Sequence, residues 1–437
     1  MEWLGHATTR FTHSPTPLSL KKNDGSSTDL LRVCEESTPP CRLNPLLFNG
    51  HLQTFKTAFE GDGPPVFYKR KVFEAEDPVY EGSFAVDFVV PPNTDVDESL
   101  PIRTTYFKDE EFDGLASLDI RPMLINLHGL SGGSYETYLK HVLFPLVQEH
   151  ETRQWEACVI ISRGCAKSKI TSSVLYNARA TWDIRQIVKW ARRTFPNRPL
   201  YGIGFSLGAN ILTTYIGEEG ENCLLKAAVV ISNPWNLESS SLALQRTWLG
   251  REIYSKTMGT NMKRLVDLHQ EQLRKNTKLD FDKLHEIKYL HEFDRVVQGP
   301  TWGYPTEGAY YRDASSSDSV FAVRIPMLAI NAEDDPIAIN EAIPYQEVKT
   351  TPYIVLCVTS LGGHLSWREL PGGGRWHARP AINFLNTMAF DIELPPPTMA
   401  NGAEHARFGP EHTAEFFPMR RKLVYNTPRR FEAGVIV

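Results

Sequence analysis

Short apolar runs closed by turn residues recur through the chain, and several of them alternate with stretches of helical character. Val66 to Val72, Ser83 to Val90, Met123 to Leu127, Ala157 to Ser162, Tyr201 to Phe205, Ala227 to Ser232, Met327 to Asn331 and Tyr353 to Val358 have the length and side chains of strands. Glu136 to Glu149, Asn177 to Arg193, Leu207 to Gly217 and Arg379 to Thr387 carry helical patterns. Parallel strands need a crossover long enough to hold a helix, so a strand-then-helix rhythm predicts an α/β fold with a mostly parallel central sheet flanked by helices. The first two runs are close enough in sequence to open that sheet as an antiparallel pair.

From about Asn236 to Arg324 the rhythm lapses into polar sequence with helical patterns at Met262 to Asn276 and Asp280 to Val296. Strand-like runs stand on both sides, so the segment 236–324 is expected to be an inserted helical lid, a kind of element that often gates a cleft. Residues 1–40 mix Thr, Ser, Pro and Lys with few apolar clusters and are expected to form an irregular N-terminal arm. The main domain is expected over 41–390. Beyond it, Pro395-Pro396-Pro397 and the clusters Arg420-Arg421-Lys422 and Arg429-Arg430 mark 391–437 as a solvated C-terminal extension.

The 437 residues, 41% hydrophobic and 23% charged, suffice for one large domain with an insertion and exclude wholesale disorder. With 47 Lys and Arg against 52 Asp and Glu, the net charge of −5 provides no strong positive field, so nucleic acid is not expected as a partner. Cys34, Cys41, Cys158, Cys165, Cys223 and Cys357 are scattered without a Cys-x-x-Cys pair and read as reduced thiols. No run of about 18 apolar residues exists to span a bilayer, and the start of the sequence shows neither the basic stub nor the apolar core of a secretory signal. The expected location is intracellular, in the cytoplasm, with peripheral contact at a membrane or lipid droplet left open.

Gly204-Phe205-Ser206-Leu207-Gly208 stands between a strand-like run and a helical stretch. In that context G-x-S-x-G places a serine in a tight, strained bend, where only small flanking residues let the chains pass. Ser206 is therefore the candidate nucleophile. Reading Gly202 and Gly204 as a dinucleotide loop fails on spacing, and no Gly-Lys-Ser or Gly-Lys-Thr follows to make a phosphate loop.

A neutral serine hydroxyl needs a base and a carboxylate to orient that base, and after a bend of this kind both follow in chain order. Gly362-Gly363-His364 comes directly after the last strand-like run, which puts an imidazole at the carboxyl end of the sheet; His377, beside Arg375 and Trp376, ranks well behind it. Ala332-Glu333-Asp334-Asp335-Pro336 is the turn after the preceding run. Asp335 is preferred as the carboxylate because Pro336 fixes the chain just beyond it, with Asp334 kept as the alternative. An oxyanion hole needs two aimed backbone N–H groups, for which the loop His128-Gly129-Leu130-Ser131-Gly132-Gly133 offers Leu130 and the nucleophile's neighbour offers Leu207. His128 reads as structural, and Cys165 lacks an identifiable histidine partner.

A wider pattern joins these motifs. Asn44-Pro45, Asn49-Gly50-His51-Leu52-Gln53-Thr54, the His128 to Ser134 loop, Ser162-Arg163-Gly164-Cys165, Gly204 to Asn210, Asn233-Pro234, Tyr311-Arg312-Asp313-Ala314-Ser315, Asp334-Asp335-Pro336 and Gly362-Gly363-His364 follow one another in an order that resembles one α/β-hydrolase branch. That branch includes the fungal medium-chain fatty acid ethyl ester synthase/esterases and the animal lung α/β-hydrolase phospholipases. The resemblance implies an α/β-hydrolase fold and a Ser206, Asp335, His364 triad. It implies a small-molecule acyl ester or thioester as substrate, water or an alcohol as acceptor, and neither metal nor organic cofactor. The candidate donors are fatty acyl glycerides, ethyl esters and acyl-CoA. The Asn-Gly-His-Leu-Gln-Thr and Arg-Gly-Cys segments read as structural signatures. Against a serine esterase/acyltransferase stand a peptidase or C–C hydrolase using the same residues, and a non-catalytic binding protein on the same fold.

Overall fold

In the computed structural model, which describes residues 5–57, 61–148, 153–370 and 373–394, ten strands form one sheet. They are β1 (Thr9–Thr12), β2 (Phe67–Glu74), β3 (Ser83–Val90), β4 (Thr104–Tyr106), β5 (Met123–Leu127), β6 (Glu156–Ile161), β7 (Leu200–Phe205), β8 (Leu225–Ile231), β9 (Met327–Ala332) and β10 (Ile354–Thr359). Across the sheet the order is β1-β10-β9-β8-β7-β5-β6-β3-β2-β4. From β10 to β6 every neighbouring pair is parallel. β2 and β3 open the sheet as the expected antiparallel pair, in register from Phe67 opposite Val90 to Glu74 opposite Ser83. All residues of β5, β7, β9 and β10 are buried, as strands covered on both faces must be.

Around and above the sheet run helices α1 (Leu30–Ser37), α2 (Gly50–Thr57), α3 (Thr137–Val147), α4 (Trp182–Thr194), α5 (Leu207–Glu219), α6 (Leu237–Arg246), α7 (Lys256–Leu268), α8 (Glu307–Ala314) and α9 (Ala378–Asn386). α1 and α3 pack against α9, while α4 packs against α5, which lies along β5, β7 and β8. No helix among the described residues is long and apolar enough to cross a membrane.

Where an irregular arm is expected over residues 1–40, the described part, residues 5–40, carries regular elements instead. β1 pairs antiparallel with β10, with Phe11 opposite Cys357. Ser19–Lys21 and Ser27–Asp29 form a small hairpin sheet, and α1 buries Leu30, Val33 and Cys34. The polar pattern misleads because β1 is an edge strand with much of its surface toward solvent, and α1 contributes only one apolar stripe. β4, three residues long, is also absent from the sequence pattern.

Two expected helices are shorter or broken. The stretch beginning at Asn177 becomes helical only at Trp182, because the Asn177 side chain accepts from Arg179 N at 2.8 Å and its carbonyl from Ala180 N at 3.1 Å, closing a turn instead. Asp280 to Val296 divides into Lys283–Glu286, Leu290–Phe293 and a π-helical turn, Asp294–Gln298.

The segment between β8 and β9 enters α6 at Asn236, which caps it by accepting from Ser239 N at 2.9 Å. Its last turn, Ser317–Ala322, packs back against α5. Of the expected C-terminal extension, residues 395–437, with Pro395 and the arginine clusters, lie outside the described residues.

Candidate active site

β7 delivers the chain into Ser206, whose φ of 52° and ψ of −119° are strained for any residue with a side chain, and α5 begins at the next residue. Both flanking glycines are sterically required. A Cβ on Gly204 would stand 2.6 Å from the Gly208 carbonyl oxygen, and one on Gly208 would stand 2.3 Å from that of Leu127. Ser206 N donates to Ile231 O at 2.9 Å, which pins the bend to the end of β8. Asn210, fully buried one turn into α5, donates to Ala178 O and Ala314 O at 2.9 and 2.8 Å, holding the turn before α4 and the end of α8 against α5.

The structure brings His364 to this serine. His364 Nε2 lies 2.8 Å from Ser206 Oγ, and Nδ1 lies 2.8 and 3.1 Å from the two oxygens of Asp335. With the proton on Nδ1, that N–H donates to Asp335, and the serine hydroxyl donates to Nε2. Asp335 Oδ1 also accepts from Ile337 N at 2.8 Å and Ala338 N at 2.9 Å, so the carboxylate cannot turn away from the ring. Asp334 does different work. Its Oδ1 accepts from Gly363 N at 2.9 Å, and burial pushes its carboxyl up to about 6.

The loop carrying His364 is held by α2, from far away in sequence. Thr54 Oγ1 accepts from His364 N at 2.8 Å; Gln53 takes the Ser366 hydroxyl on its carbonyl at 2.6 Å and Arg368 N on Oε1 at 2.8 Å. Gly50 lies so close to the Asp334 carbonyl that a Cβ there would overlap it, at 1.8 Å. The Asn49 to Thr54 motif therefore holds both the acidic turn and the imidazole loop. Its distinctive sequence was visible as a signature, but nothing in it pointed to these partners.

In the loop after β5, His128 Nδ1 donates to Gly129 O at 2.7 Å and Nε2 accepts from Ser162 N at 3.1 Å. Burial depresses its pKa to about 4 and keeps it neutral, in line with a structural role. Gly129 N donates to Tyr138 Oη at 2.9 Å and Ser131 N to Tyr176 Oη at 3.2 Å, so the amides on either side of Leu130 are both engaged. Leu130, Ser206 and Leu207 line one cavity. The other candidates are elsewhere: His377 is fully buried against the rings of Phe205 and Trp367, and burial pushes the Cys165 thiol up to about 12. Arg163 of the Arg-Gly-Cys segment makes a buried ion pair with Asp183 at 2.8 Å.

The cavity is bounded below by the ends of the sheet and above by the insertion. Leu237, Leu244, Met258, Met262 and Leu290 supply an apolar wall, and Asp294, Tyr311 and Gln298 interrupt it. Tyr311 Oη donates to Asp294 Oδ2 at 2.7 Å, and burial still pushes that carboxyl up to about 7.

Residues 122–367 match the family model of the alpha/beta hydrolase fold. The chain belongs to the α/β-hydrolase family. Among its relatives, this hydrolase is 37% identical over 372 residues to a protein of Saccharomyces cerevisiae named monoacylglycerol lipase, covering 80% of this chain and 81% of that one. It is 33% identical over 377 residues to medium-chain fatty acid ethyl ester synthase/esterase 2 of the same yeast, covering 75% and 81%. With human phospholipase ABHD3 it shares 28% over 324 residues, covering 74% and 72%. The family resemblance read from the motifs is thus shown, and so is the fold.

Proposed function

We propose that this α/β-hydrolase is a serine carboxylic-ester hydrolase of lipid esters that can also transfer the acyl group to an alcohol. The observation that carries the reading is the unbroken chain of hydrogen bonds from Ser206 through His364 to Asp335 at the wall of an apolar cavity. The relatives named for monoacylglycerol, ethyl ester and phospholipid chemistry support lipid esters as the substrate class.

In the proposed cycle, Ser206 Oγ attacks the ester carbonyl carbon as His364 Nε2 takes its proton. The carbonyl electrons move to oxygen, and that oxyanion is met by the N–H groups of Leu130 and Leu207, the latter at the positive end of α5. The intermediate collapses by breaking the bond to the leaving oxygen, which receives the proton from Nε2 and departs as an alcohol. Water, or a second alcohol, then attacks the acyl-serine while His364 takes its proton. Ser206 Oγ is expelled and recovers that proton, leaving free acid or a new ester. Asp335 orients the ring and stabilises the imidazolium. The insertion acts as a lid whose apolar wall receives a medium-length acyl chain, and the cycle uses no metal or organic cofactor.

The test combines a fluorophosphonate probe with p-nitrophenyl esters of graded chain length. The expected result is covalent labelling, turnover with a medium-chain optimum, and loss of both in Ser206→Ala, with kcat falling by several orders of magnitude. A folded protein that neither labels nor turns over any ester would instead be a binding protein on a hydrolase fold.

A further inference from the structure

The cavity beside Ser206 is predominantly apolar, yet polar atoms in three of its lining residues have no hydrogen-bond partner. Ser240 on α6, Gln298 at the end of the π-helical turn and Asn177 in the turn before α4 all line it, and all are at least nine-tenths buried. The unsatisfied atoms are Ser240 Oγ, Gln298 Oε1 and Asn177 Nδ2. Neither amide can be reversed to remove the problem. Gln298 Nε2 donates to Tyr176 O at 3.0 Å, and Asn177 Oδ1 accepts from Arg179 N at 2.8 Å, so each amide is fixed by a backbone group. What remains unpaired among these lining residues is an acceptor on Gln298, a donor on Asn177 and a hydroxyl on Ser240 that can serve as either.

A buried polar group left without a partner forfeits the hydrogen bonds it had in water and gets none in return. An all-aliphatic chain filling this space would leave these groups unpaired and would displace any water that had satisfied them, without replacing its hydrogen bonds. A hydroxyl both donates and accepts, so it matches a wall that presents an acceptor and a donor together. Asp294 lines the same wall four residues before Gln298 and adds a further polar neighbour.

We propose that Asn177, Ser240 and Gln298 form a hydroxyl-binding subsite, and that the preferred ester carries a free hydroxyl into this cavity. The inference rests on Ser206 being the nucleophile of an esterase. The hydroxyl can come from either half of the ester, from a polyol on the alcohol side or from a hydroxylated acyl chain.

Matched substrates separate these sources. A medium-chain monoacylglycerol is compared with the propyl ester of the same acid, and ethyl esters of monohydroxy fatty acids, with the hydroxyl moved along the chain, are compared with the plain ethyl ester. The expected result is a kcat/KM preference of about tenfold or more for the hydroxylated member in at least one arm, since a site built to bond a hydroxyl discriminates against its absence. Gln298→Leu and, separately, Ser240→Ala should reduce that preference to about threefold or less. The responding arm tells which half of the ester supplies the hydroxyl. A wild-type preference below tenfold in both arms, or one that survives both substitutions, overturns the subsite while fluorophosphonate labelling and plain-ester turnover leave the esterase reading intact. Absence of labelling and of all turnover removes the esterase reading, and the subsite with it.

Discussion

Asp334 and Asp335 are neighbours in one turn, and their surroundings separate them. Asp335 faces the imidazole and is fixed by two backbone amides, whereas Asp334 accepts from the backbone of the loop that carries His364. Asp335→Asn is expected to lower kcat by roughly 10²- to 10⁴-fold, because an amide neither stabilises the imidazolium nor enforces the right tautomer. Asp334→Asn keeps an oxygen for Gly363 N and should lose less than about tenfold. Steady-state kinetics on equally folded proteins check the ranking, and a reversed order would move the carboxylate role to Asp334. Asp294 makes a separate prediction about stability. Its folded pKa is raised to about 7, through burial first and the Glu307 charge second, against the bond from Tyr311. The native state therefore holds a proton that the unfolded chain, with an aspartate pKa of about 3.9, has released. Stability should fall as pH rises from about 4 to about 7 and level off above that, by an amount on the order of a few kcal/mol. Asp294→Asn should remove this fall, so its Tm should gain on the wild type across that window. Equal Tm curves for the two proteins would show that the carboxyl is solvated.

At the scale of elements, α2 shows how a short helix can serve a site to which it contributes no reacting group. Thr54 and Gln53 hold the backbone around His364, and Gly50 lets the helix close against the acidic turn. Thr54→Val leaves His364 N without its acceptor, which should cost about 1–3 kcal/mol and lower kcat more than it raises KM. Thermal melts read the first effect and initial rates the second; a Tm shift with unchanged kcat would make Thr54 purely structural. The α2 motif was recognisable, but its work was not, because the bond it makes spans 310 residues of sequence. The interior strands were legible for the opposite reason: a strand buried on both faces must be a continuous apolar run wherever it pairs. β1 and β4 escaped because edge position lets them be polar and short.

For the whole molecule, the decisive arrangement is an insertion between β8 and β9 that roofs a cavity ending at Ser206. In the proposed cycle such a roof would limit water at the acyl-enzyme, which is the condition for transfer to compete with hydrolysis in a solvent of about 55 M water. A medium-chain acyl donor supplied with ethanol is therefore expected to yield ethyl ester beside free acid, hydrolysis dominating at low ethanol and both products vanishing in Ser206→Ala. Chromatographic product ratios test it, and free acid alone across a wide ethanol range would leave a plain esterase. The sequence by itself determined the α/β class, the bend at Ser206 and the candidates that follow it, because strand burial, helix periodicity and a sterically required pair of glycines are local properties that the residues carry with them. Only the tertiary structure decided that Asp335 rather than Asp334 meets His364, that residues 5–40 join the fold, and that Asn177, Ser240 and Gln298, each with an unpaired polar atom, line one cavity. Those are relations between segments far apart in the chain, and nothing in any one segment encodes the partner that packing brings to it.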